Sequence, residues 1–244
     1  MSEGGAPGRS ADVGPRAAAV ILADGKAGTA SEEPRAFASV FGRNLLGICV
    51  ETVDVCPEIQ GFVVVAPAGL EDRAADFARD SAKFLAAVPG RSTSRESVAV
   101  GVEALPPRFD VVLVHDVARP LASPGLFAAV LRALEGADAA VPQFPVGDTV
   151  KRVEGGVVRE TIPREGLGAI QTPQGFRRHA LMTLSGAEMG SPEGAPLDVS
   201  FLAAAGLRVA TVRGEPANLQ VRAPEDLRFV ERLLAEAVSR GHGR

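Results

Sequence analysis

Short, nearly continuous apolar runs alternate with longer amphipathic stretches along this 244-residue chain. A run that is apolar at every position suits a strand covered on both faces, as in a parallel sheet. The amphipathic stretches carry apolar residues at helical spacing. This alternation predicts an α/β sandwich with a mostly parallel sheet. Strands are predicted at residues 17–23, 61–66, 111–115, 137–141 and 207–212, and helices at residues 70–85, 97–105, 124–134, 178–187 and 224–238.

Residues 149–162 break this alternation, because two β-rich runs flank the pair Gly155 and Gly156. Two glycines between such runs predict a hairpin. A two-stranded arm is only marginally stable alone, so we expect it to pack against a second copy of the chain. The predicted organisation is a disordered tail over residues 1–16 and one domain over residues 17–240, with the arm at about 148–167.

Composition excludes several classes of function. The net charge of −4 argues against a general nucleic-acid-binding surface, and the absence of Trp and Tyr argues against stacking on single-stranded bases. Cys49 and Cys56 are too few for a disulfide framework or a zinc site and are expected to be buried, reduced thiols. No N-terminal signal and no run of ~18 apolar residues is present. A cytoplasmic protein without a nucleic-acid or membrane partner is therefore expected.

The first predicted strand leads into a glycine-bearing loop that contains Ala23, Gly25 and Lys26. Such a loop is a common phosphate cradle in α/β sheets, because glycine lets backbone N–H groups approach an anion. Ala23 and Gly25 are therefore candidate nucleotide-binding residues, and Lys26 and the nearby Arg35 supply positive charge. The spacing matches neither a dinucleotide fingerprint nor a Walker loop. An ordinary strand-to-helix turn is the alternative.

A stronger signal lies at the end of the third predicted strand, at His115, Asp116 and Arg119. Ligands of open α/β sheets bind at the carboxyl ends of strands. Asp116 could hold Mg²⁺, and Arg119 could hold a phosphate through its planar guanidinium. The alternative is an aspartate that caps a turn, with Arg119 as its ion-pair partner. His115 is expected to be a satisfied core histidine rather than a base.

Two further polar segments follow. Arg164 and residues 171–176, together with basic residues of the hairpin, could bind a polyol phosphate, or they could form a solvated hairpin face. Asn218 and Gln220 could bind a ligand or cap the next helix. No Gly-x-Ser-x-Gly elbow is present, which argues against a serine nucleophile.

Taken in order, these segments resemble the methylerythritol phosphate cytidylyltransferase family of the isoprenoid pathway, from about Ala17 to Leu234. Several ordered matches are more specific than any single motif. The matching residues are 97–101 (SVAVG), 112–120 (VLVHDVARP), 148–152 (DTVKR), Arg164 with 166–167, 171–176 (QTPQGF), and Asn218 with 224–227 (PEDL).

The resemblance implies a Rossmann-like, GT-A-like nucleotidyltransferase fold and a homodimer joined through the β-arm. The family transfers CMP from CTP to a polyol phosphate such as methylerythritol 4-phosphate, with Mg²⁺, and releases diphosphate. The substrate phosphate attacks the α-phosphorus, and positioning and charge neutralisation carry the rate. By position, Asp116 is implied to bind Mg²⁺ and nucleotide, Ser97 to lie beside the cytosine or ribose, and Arg119, Thr149, Arg164 and Thr172 to hold the polyol phosphate, some of them across the dimer.

The chain departs from the family pattern where the triphosphate is expected. The family's first loop reads Ala-Ala-Gly-x-Gly-x-Arg-Met, followed by Pro-Lys, and a lysine follows two residues after the position of Asn218. The changes remove two cations from the triphosphate path and add a carboxylate, which leaves Lys26 and Arg35 as the expected catalytic cations. The residues that differ from this pattern are Asp24, Ala27, Thr29, Ala30, Arg35 and Gln220.

Three hypotheses follow from this mixture. The first is an active, divergent cytidylyltransferase in which Lys26 and Arg35 replace the missing cations. The second is a catalytically inactive paralogue that acts as a binding or regulatory module and keeps the fold and the arm. The third is a nucleotidyltransferase with a changed nucleotide or acceptor. Diphosphate release with different nucleoside triphosphates discriminates among them.

Overall fold

The computed structural model describes residues 15–25, 33–186 and 199–241. Its strands are β1 (Ala17–Leu22), β2 (Ser39–Val40), β3 (Arg43–Asn44), β4 (Ile59–Ala66), β5 (Phe84–Pro89), β6 (Val111–Asp116), β7 (Ala139–Pro145), β8 (Val150–Glu154), β9 (Val157–Ile162), β10 (Gly168–Ile170), β11 (Gln174–Arg177) and β12 (Val209–Arg213). Its helices are α1 (Leu45–Asp54), α2 (Glu71–Asp76), α3 (Ser94–Ala104), α4 (Pro124–Ala133), α5 (Arg178–Gly186), α6 (Ser200–Ala204) and α7 (Asp226–Gly241), with 3-10 turns at Arg35–Phe37 and Leu134–Gly136. In the described ranges no helix is long and apolar enough to cross a membrane.

An eight-stranded sheet forms the centre of the molecule. Strands β5, β4, β1 and β6 lie side by side and are parallel. β11 pairs antiparallel with β6 and with β7, while β7 pairs antiparallel with β10 and parallel with β12. The predicted α/β sandwich with a mostly parallel sheet is confirmed, and all five predicted strands are present.

Helices cover both faces of the sheet, and β1 shows why its sequence is apolar throughout. Ala19 and Ile21 pack into one core cluster with residues of α1, α4 and α7. Ala18 and Val20 pack into the other cluster with residues of α3, α5 and α6. Each of the six β1 residues is buried, so a polar side chain at any of them would lose its hydration.

The predicted helix at residues 70–85 is wrong over its second half. α2 ends at Asp76, and Phe84–Pro89 forms the edge strand β5, which pairs parallel with β4. The apolar residues at helical spacing run on into the first residues of this strand, so local periodicity did not separate the two elements. Hydrogen bonding to β4 decides between them, and that contact is not visible in local sequence.

Helix α1 was not predicted from the sequence, because it contains Gly47 and several β-branched residues that are poor helix formers. The Asn44 side chain caps its first turn by accepting a hydrogen bond from the Gly47 N–H at 2.6 Å. Its apolar residues, including Leu45, Leu46 and Val53, are buried under the sheet. Burial of this face therefore stabilises the helix despite its low propensity.

The predicted hairpin is confirmed as β8 and β9, which form a separate two-stranded antiparallel sheet. Gly155 and Gly156 join the strands with φ values of 56° and 77°, the left-handed conformation that favours glycine. Most of the arm is exposed, including Val153, Val157 and Val158. Contact with a second copy through this arm stays a prediction.

Arg178 ties the start of α5 to the end of α3. Its guanidinium donates hydrogen bonds to the carbonyl oxygens of Val102, Leu105, Pro106 and Phe109, at distances of 3.0 to 3.4 Å. These include carbonyls at the end of a helix, which have no partner within the helix. The contact fixes α3, whose other end carries Ser97, against the rest of the fold.

Candidate active site

The carboxyl ends of β1 and β6 lie next to each other, since Leu22 is in register with Asp116. The chain that leaves β1 therefore passes beside the carboxylate that ends β6. Asp24 lies in this segment, and the negative charge of Asp116 is one of the causes that raise its pKa. Two carboxylates thus share one edge of the sheet, which is the edge where ligands of open α/β folds bind.

A buried serine anchors Asp24. The Ser97 hydroxyl donates a hydrogen bond to the Asp24 carboxylate and accepts one from the Arg91 N–H at 2.8 Å. Ser97 lies in the first turn of α3, which Thr93 and Glu96 begin with a reciprocal capping box. The pKa of Asp24 is raised chiefly because burial disfavours the charged carboxylate, while the bond from Ser97 lowers it.

Gly90 closes this side of the site. Its N–H donates to the Ala66 carbonyl at 2.7 Å, just as the Ala23 N–H donates to the Val65 carbonyl at 2.8 Å. A Cβ atom at position 90 would collide with the Asp24 side chain. The close approach of this backbone to Asp24 therefore requires glycine.

Asp116 is held by three groups. Its Oδ1 accepts a hydrogen bond from the Ala118 N–H at 2.8 Å, and its Oδ2 accepts one from Gln220 Nε2 at 3.2 Å. Its own N–H donates to Thr172 Oγ1 at 3.2 Å. The turn-capping contact expected of a structural aspartate is present, yet the carboxylate is only half-buried. Each oxygen keeps a further lone pair that can bind a ligand.

His115 is a buried core histidine. It is 1% exposed, its ring packs 5.1 Å from the Phe127 ring between centroids, and its Nδ1 lies 3.1 Å from Thr172 Oγ1. Burial, and then the charge of Arg119, lowers the pKa of His115 to about 3. The imidazole is therefore neutral at physiological pH, and the expectation of a satisfied core histidine is confirmed.

Arg119 is half-buried and donates to main-chain oxygens. Its guanidinium donates to the Asn218 carbonyl at 2.7 Å and to the Ile170 carbonyl at 3.3 Å. The alternative in which it forms an ion pair with Asp116 is not observed among the described residues. Burial lowers the pKa of Arg119, and the charge of Asp116 raises it. The carbonyl contacts fix the guanidinium at this edge of the sheet.

Asn218 forms hydrogen bonds with both Arg119 and Thr172. It is fully buried, and its Nδ2 donates to the Thr172 carbonyl at 2.8 Å and to Gln171 Oε1 at 3.3 Å. Its Oδ1 has no hydrogen-bond partner among the described residues. The residue thus joins Arg119 and Thr172 into one polar unit.

The structure brings together only part of the predicted site. Asp116, Arg119 and Thr172 are linked directly or through one residue, and Ser97 lies on the other side, against Asp24 and beside Ala23. Thr149 and Arg164 lie at the base of the arm, where Arg164 donates to the Gly147 carbonyl. Arg35 donates to the Arg222 carbonyl at 3.5 Å, and Gly25 is exposed. Lys26 lies outside the described residues.

Asp116 fits the expected Mg²⁺. Mg²⁺ prefers oxygen ligands and is usually bound through one or two carboxylates together with substrate phosphates. The half-buried Asp116 carboxylate provides such a ligand, oriented by Gln220 and Ala118. The described residues contain no group of three or more His, Cys, Asp or Glu that could hold a metal without a substrate.

Sequence reasoning missed Arg222. Its Nε donates to Gln220 Oε1 at 3.1 Å, which places a cation one side chain away from Asp116. The family resemblance places a lysine at position 220, where this chain has glutamine. The signal available in the sequence was the basic residue Arg222, two positions later.

A mostly parallel sheet of this order, with Asp116 and Arg119 at its carboxyl edge and Ser97 across from them, has the fold of the nucleotidyltransferases. A crystal structure of 4-diphosphocytidyl-2C-methyl-D-erythritol synthase from Anaerococcus prevotii has this fold, with a TM-score of 0.77 and 28% identity over 91% of this chain and 99% of that one. The model of the IspD family, 2-C-methyl-D-erythritol 4-phosphate cytidylyltransferase, matches residues 17–236, and the chain belongs to that family.

Relatives of two lengths are similar to this chain. The 2-C-methyl-D-erythritol 4-phosphate cytidylyltransferase of Deinococcus radiodurans is 37% identical over 219 residues, which cover 90% of each chain. The bifunctional enzyme IspD/IspF of Granulibacter bethesdensis is 35% identical over 90% of this chain but only 57% of its own length. The chain thus spans nearly all of the first relative and little more than half of the second.

Proposed function

We propose that this protein transfers CMP from CTP to methylerythritol 4-phosphate and releases diphosphate. The observation that carries the proposal is the set of polar groups at the carboxyl edge of the sheet. A buried serine at the start of α3 and an oriented carboxylate at the end of β6 lie on either side of the first strand's exit, in a chain of the cytidylyltransferase family. This supports a nucleotide bound across the edge, with its base near Ser97 and its phosphates near Asp116.

The residues assigned to the nucleotide lie around the segment that leaves β1. The buried Ser97 hydroxyl is ordered by Asp24 and Arg91, and the backbone of Ala23 and Gly25 lines the exit of β1. We assign the base and ribose to the side of Ser97 and the triphosphate to the side of Asp116, whose carboxylate can share a cation with the phosphates. Arg35 and Lys26 are the cations that we expect to neutralise charge on the phosphates.

The acceptor half is assigned to Arg119 and Thr172, with Thr149 and Arg164 from the arm. Arg119 is already held rigidly by two carbonyl groups, so little entropy is lost when it binds a phosphate. Thr149 and Arg164 lie on the arm rather than beside Asp116, which supports their contribution to the site of a second copy in a homodimer.

In the proposed reaction, an oxygen of the acceptor phosphate attacks the α-phosphorus of CTP in line. The new P–O bond forms as the bond to the bridging oxygen between the α- and β-phosphates breaks, and diphosphate leaves with the electron pair. Bound Mg²⁺ would neutralise the phosphate oxygens. The residues of this chain orient both reactants and stabilise negative charge, which is the main work in phosphoryl and nucleotidyl transfer.

The experiment is diphosphate release from each of the four nucleoside triphosphates with Mg²⁺, with and without methylerythritol 4-phosphate. Release with CTP that depends on the acceptor supports the proposal. Release with another nucleotide would favour the enzyme of changed specificity that the altered first loop suggests. Absence of release with every nucleotide, in a protein that still binds the acceptor phosphate, would replace the proposal by the inactive binding module.

A further inference from the structure

Gln220 connects Asp116 to a cation that the expected site does not include. Its Nε2 donates to Asp116 Oδ2 at 3.2 Å, and its Oε1 accepts from Arg222 Nε at 3.1 Å. An amide has a donor end and an acceptor end, and here each end has a charged partner of the matching kind. Arg222 is therefore separated by one side chain, Gln220, from the carboxylate that is expected to bind near the nucleotide phosphates.

The main chain of Arg222 is held on both sides. Its N–H donates to Asp226 Oδ2 at 2.7 Å, and its carbonyl accepts from Arg35 Nη2 at 3.5 Å. The contact with Asp226 belongs to the start of α7, where this carboxylate also accepts from the Ala223 N–H at 3.0 Å. Both the backbone and the Nε atom of Arg222 are thus fixed before any ligand binds.

The guanidinium nevertheless remains available. Arg222 is exposed, and within the described ranges its two Nη groups have no hydrogen-bond acceptor. Its charge also acts on Arg119, whose pKa is lowered chiefly by burial and further by the positive charge of Arg222. Arg119 and Arg222 thus place two positive charges near Asp116, and such a concentration of positive charge favours binding of a polyanion.

We propose that Arg222 binds the nucleotide triphosphate and that Gln220 is the positioning residue that links it to Asp116. This inference rests on the proposed function, of which it names a further phosphate ligand. A guanidinium fork suits phosphate oxygens and keeps its charge at any physiological pH. The chain lacks the lysine that the family resemblance places at position 220, and Arg222 brings a cation to the same neighbourhood from two residues further on.

The primary test compares Arg222→Gln with the matched control Arg228→Gln, which removes an exposed arginine within α7. Arg222→Gln is expected to raise the KM for CTP about 10-fold to 100-fold, as for loss of a charge-assisted hydrogen bond to phosphate. The KM for the acceptor and the unfolding midpoint should change little, and Arg228→Gln should resemble the wild type. An unchanged KM for CTP, or equal increases for both substrates, would overturn the inference while leaving the proposed function in place.

Relocation of the charge gives a second test. The double variant Gln220→Lys with Arg222→Gln moves the cation to position 220, and we expect it to regain most of the CTP affinity that Arg222→Gln loses. A double variant no better than Arg222→Gln would argue that Arg222 acts only through the local structure.

A third measurement applies if the wild-type protein turns over no nucleotide. The proposed function then fails, but the phosphate site can still be tested. The probe is then inorganic tripolyphosphate with Mg²⁺, titrated calorimetrically into the wild type and both single variants. Weaker binding by Arg222→Gln alone supports the phosphate site. Equal binding by all three proteins, or none by any, overturns it.

Discussion

Asp24 is the residue whose chemistry most opposes the proposed site. Its carboxylate is fixed by Ser97 and lies near Asp116, at the edge where a triphosphate is expected. The raised pKa shows that the fold disfavours its charged form, mainly through burial. A carboxylate held at an energetic cost in this position reduces affinity for an anion, unless a cation or a proton accompanies the ligand.

We expect Asp24→Asn to bind CTP with Mg²⁺ more tightly than the wild type, by about 10-fold. Two unit charges ~8 Å apart at an effective dielectric constant of ~20 repel by about 2 kcal/mol, part of which is screened. Asparagine can still accept the hydrogen bond from Ser97. Isothermal titration calorimetry measures the change, with Asp80→Asn, at an exposed surface site, as the control. Weaker binding by Asp24→Asn would mean that the carboxylate is itself a ligand of the metal or the nucleoside.

The same substitution changes how stability depends on pH. Because the folded-state pKa of Asp24 lies above 3.8, the folded protein binds a proton more tightly than the unfolded chain. The stability that this provides is present below pH 3.8 and is lost as the pH rises through the raised value. Asp24→Asn should therefore match the wild type below pH 3.8 and exceed it at pH 7, in denaturant unfolding measured across this range. A constant difference at all pH values would contradict the prediction.

At the scale of single elements, α3 links the site to the core, since Ser97 lies in its first turn and Arg178 binds carbonyls at its end. We expect Arg178→Ala to lower the free energy of unfolding by about 2–4 kcal/mol, because buried carbonyls at the helix end lose their donor. The control is Arg177→Ala, which removes one bond, to the Leu134 carbonyl at 2.8 Å, and should cost about 1 kcal/mol. Urea unfolding with unchanged m-values measures both, and equal losses would contradict the special role of Arg178.

Elements also show how far the sequence alone could reach. Of the parallel strands β5, β4, β1 and β6, the continuous apolar runs predicted all except β5. A strand that is buried on both faces is apolar at nearly every position, which makes it recognisable in the sequence. β5 and α1 were missed because they depend on partners distant in sequence: β4 for the strand, and the underside of the sheet for the helix. In the site, motif positions such as Asp116 were predictable, whereas Arg222 was not, because its link to Asp116 arises only when the segment before α7 folds against β6.

At the scale of the whole molecule, the arm presents exposed apolar side chains to solvent. Val153 and Val158 are opposite each other in register and more than half exposed, at 55% and 58%. Exposed valines that lie opposite each other on one hairpin suit contact with a second copy. A homodimer in which arms are exchanged would also bring Thr149 and Arg164 to the partner's site.

Deletion of residues 149–162 is expected to give monomers in sedimentation experiments, with a raised KM for the acceptor and a nearly unchanged affinity for CTP. Replacement of Val153 and Val158 together by Lys is the milder variant, since it keeps the hairpin but places charge in the expected contact. The matched control is Arg159→Ala, which removes an exposed charge from the same hairpin. A deletion variant that still sediments as a dimer would show that the interface lies elsewhere.

The two-layered core has a consequence for how this site can change over generations of mutation. Ser97 comes from α3, which packs on one face of the sheet, whereas Gln220 and Arg222 precede α7, which packs on the other. Because the two layers pack on opposite faces of the sheet, we expect a substitution in one to disturb the other little, so that the two halves of the site can change independently. During evolution, the site could thus lose a cation from one helix layer and gain a replacement from the other while every intermediate sequence still folds.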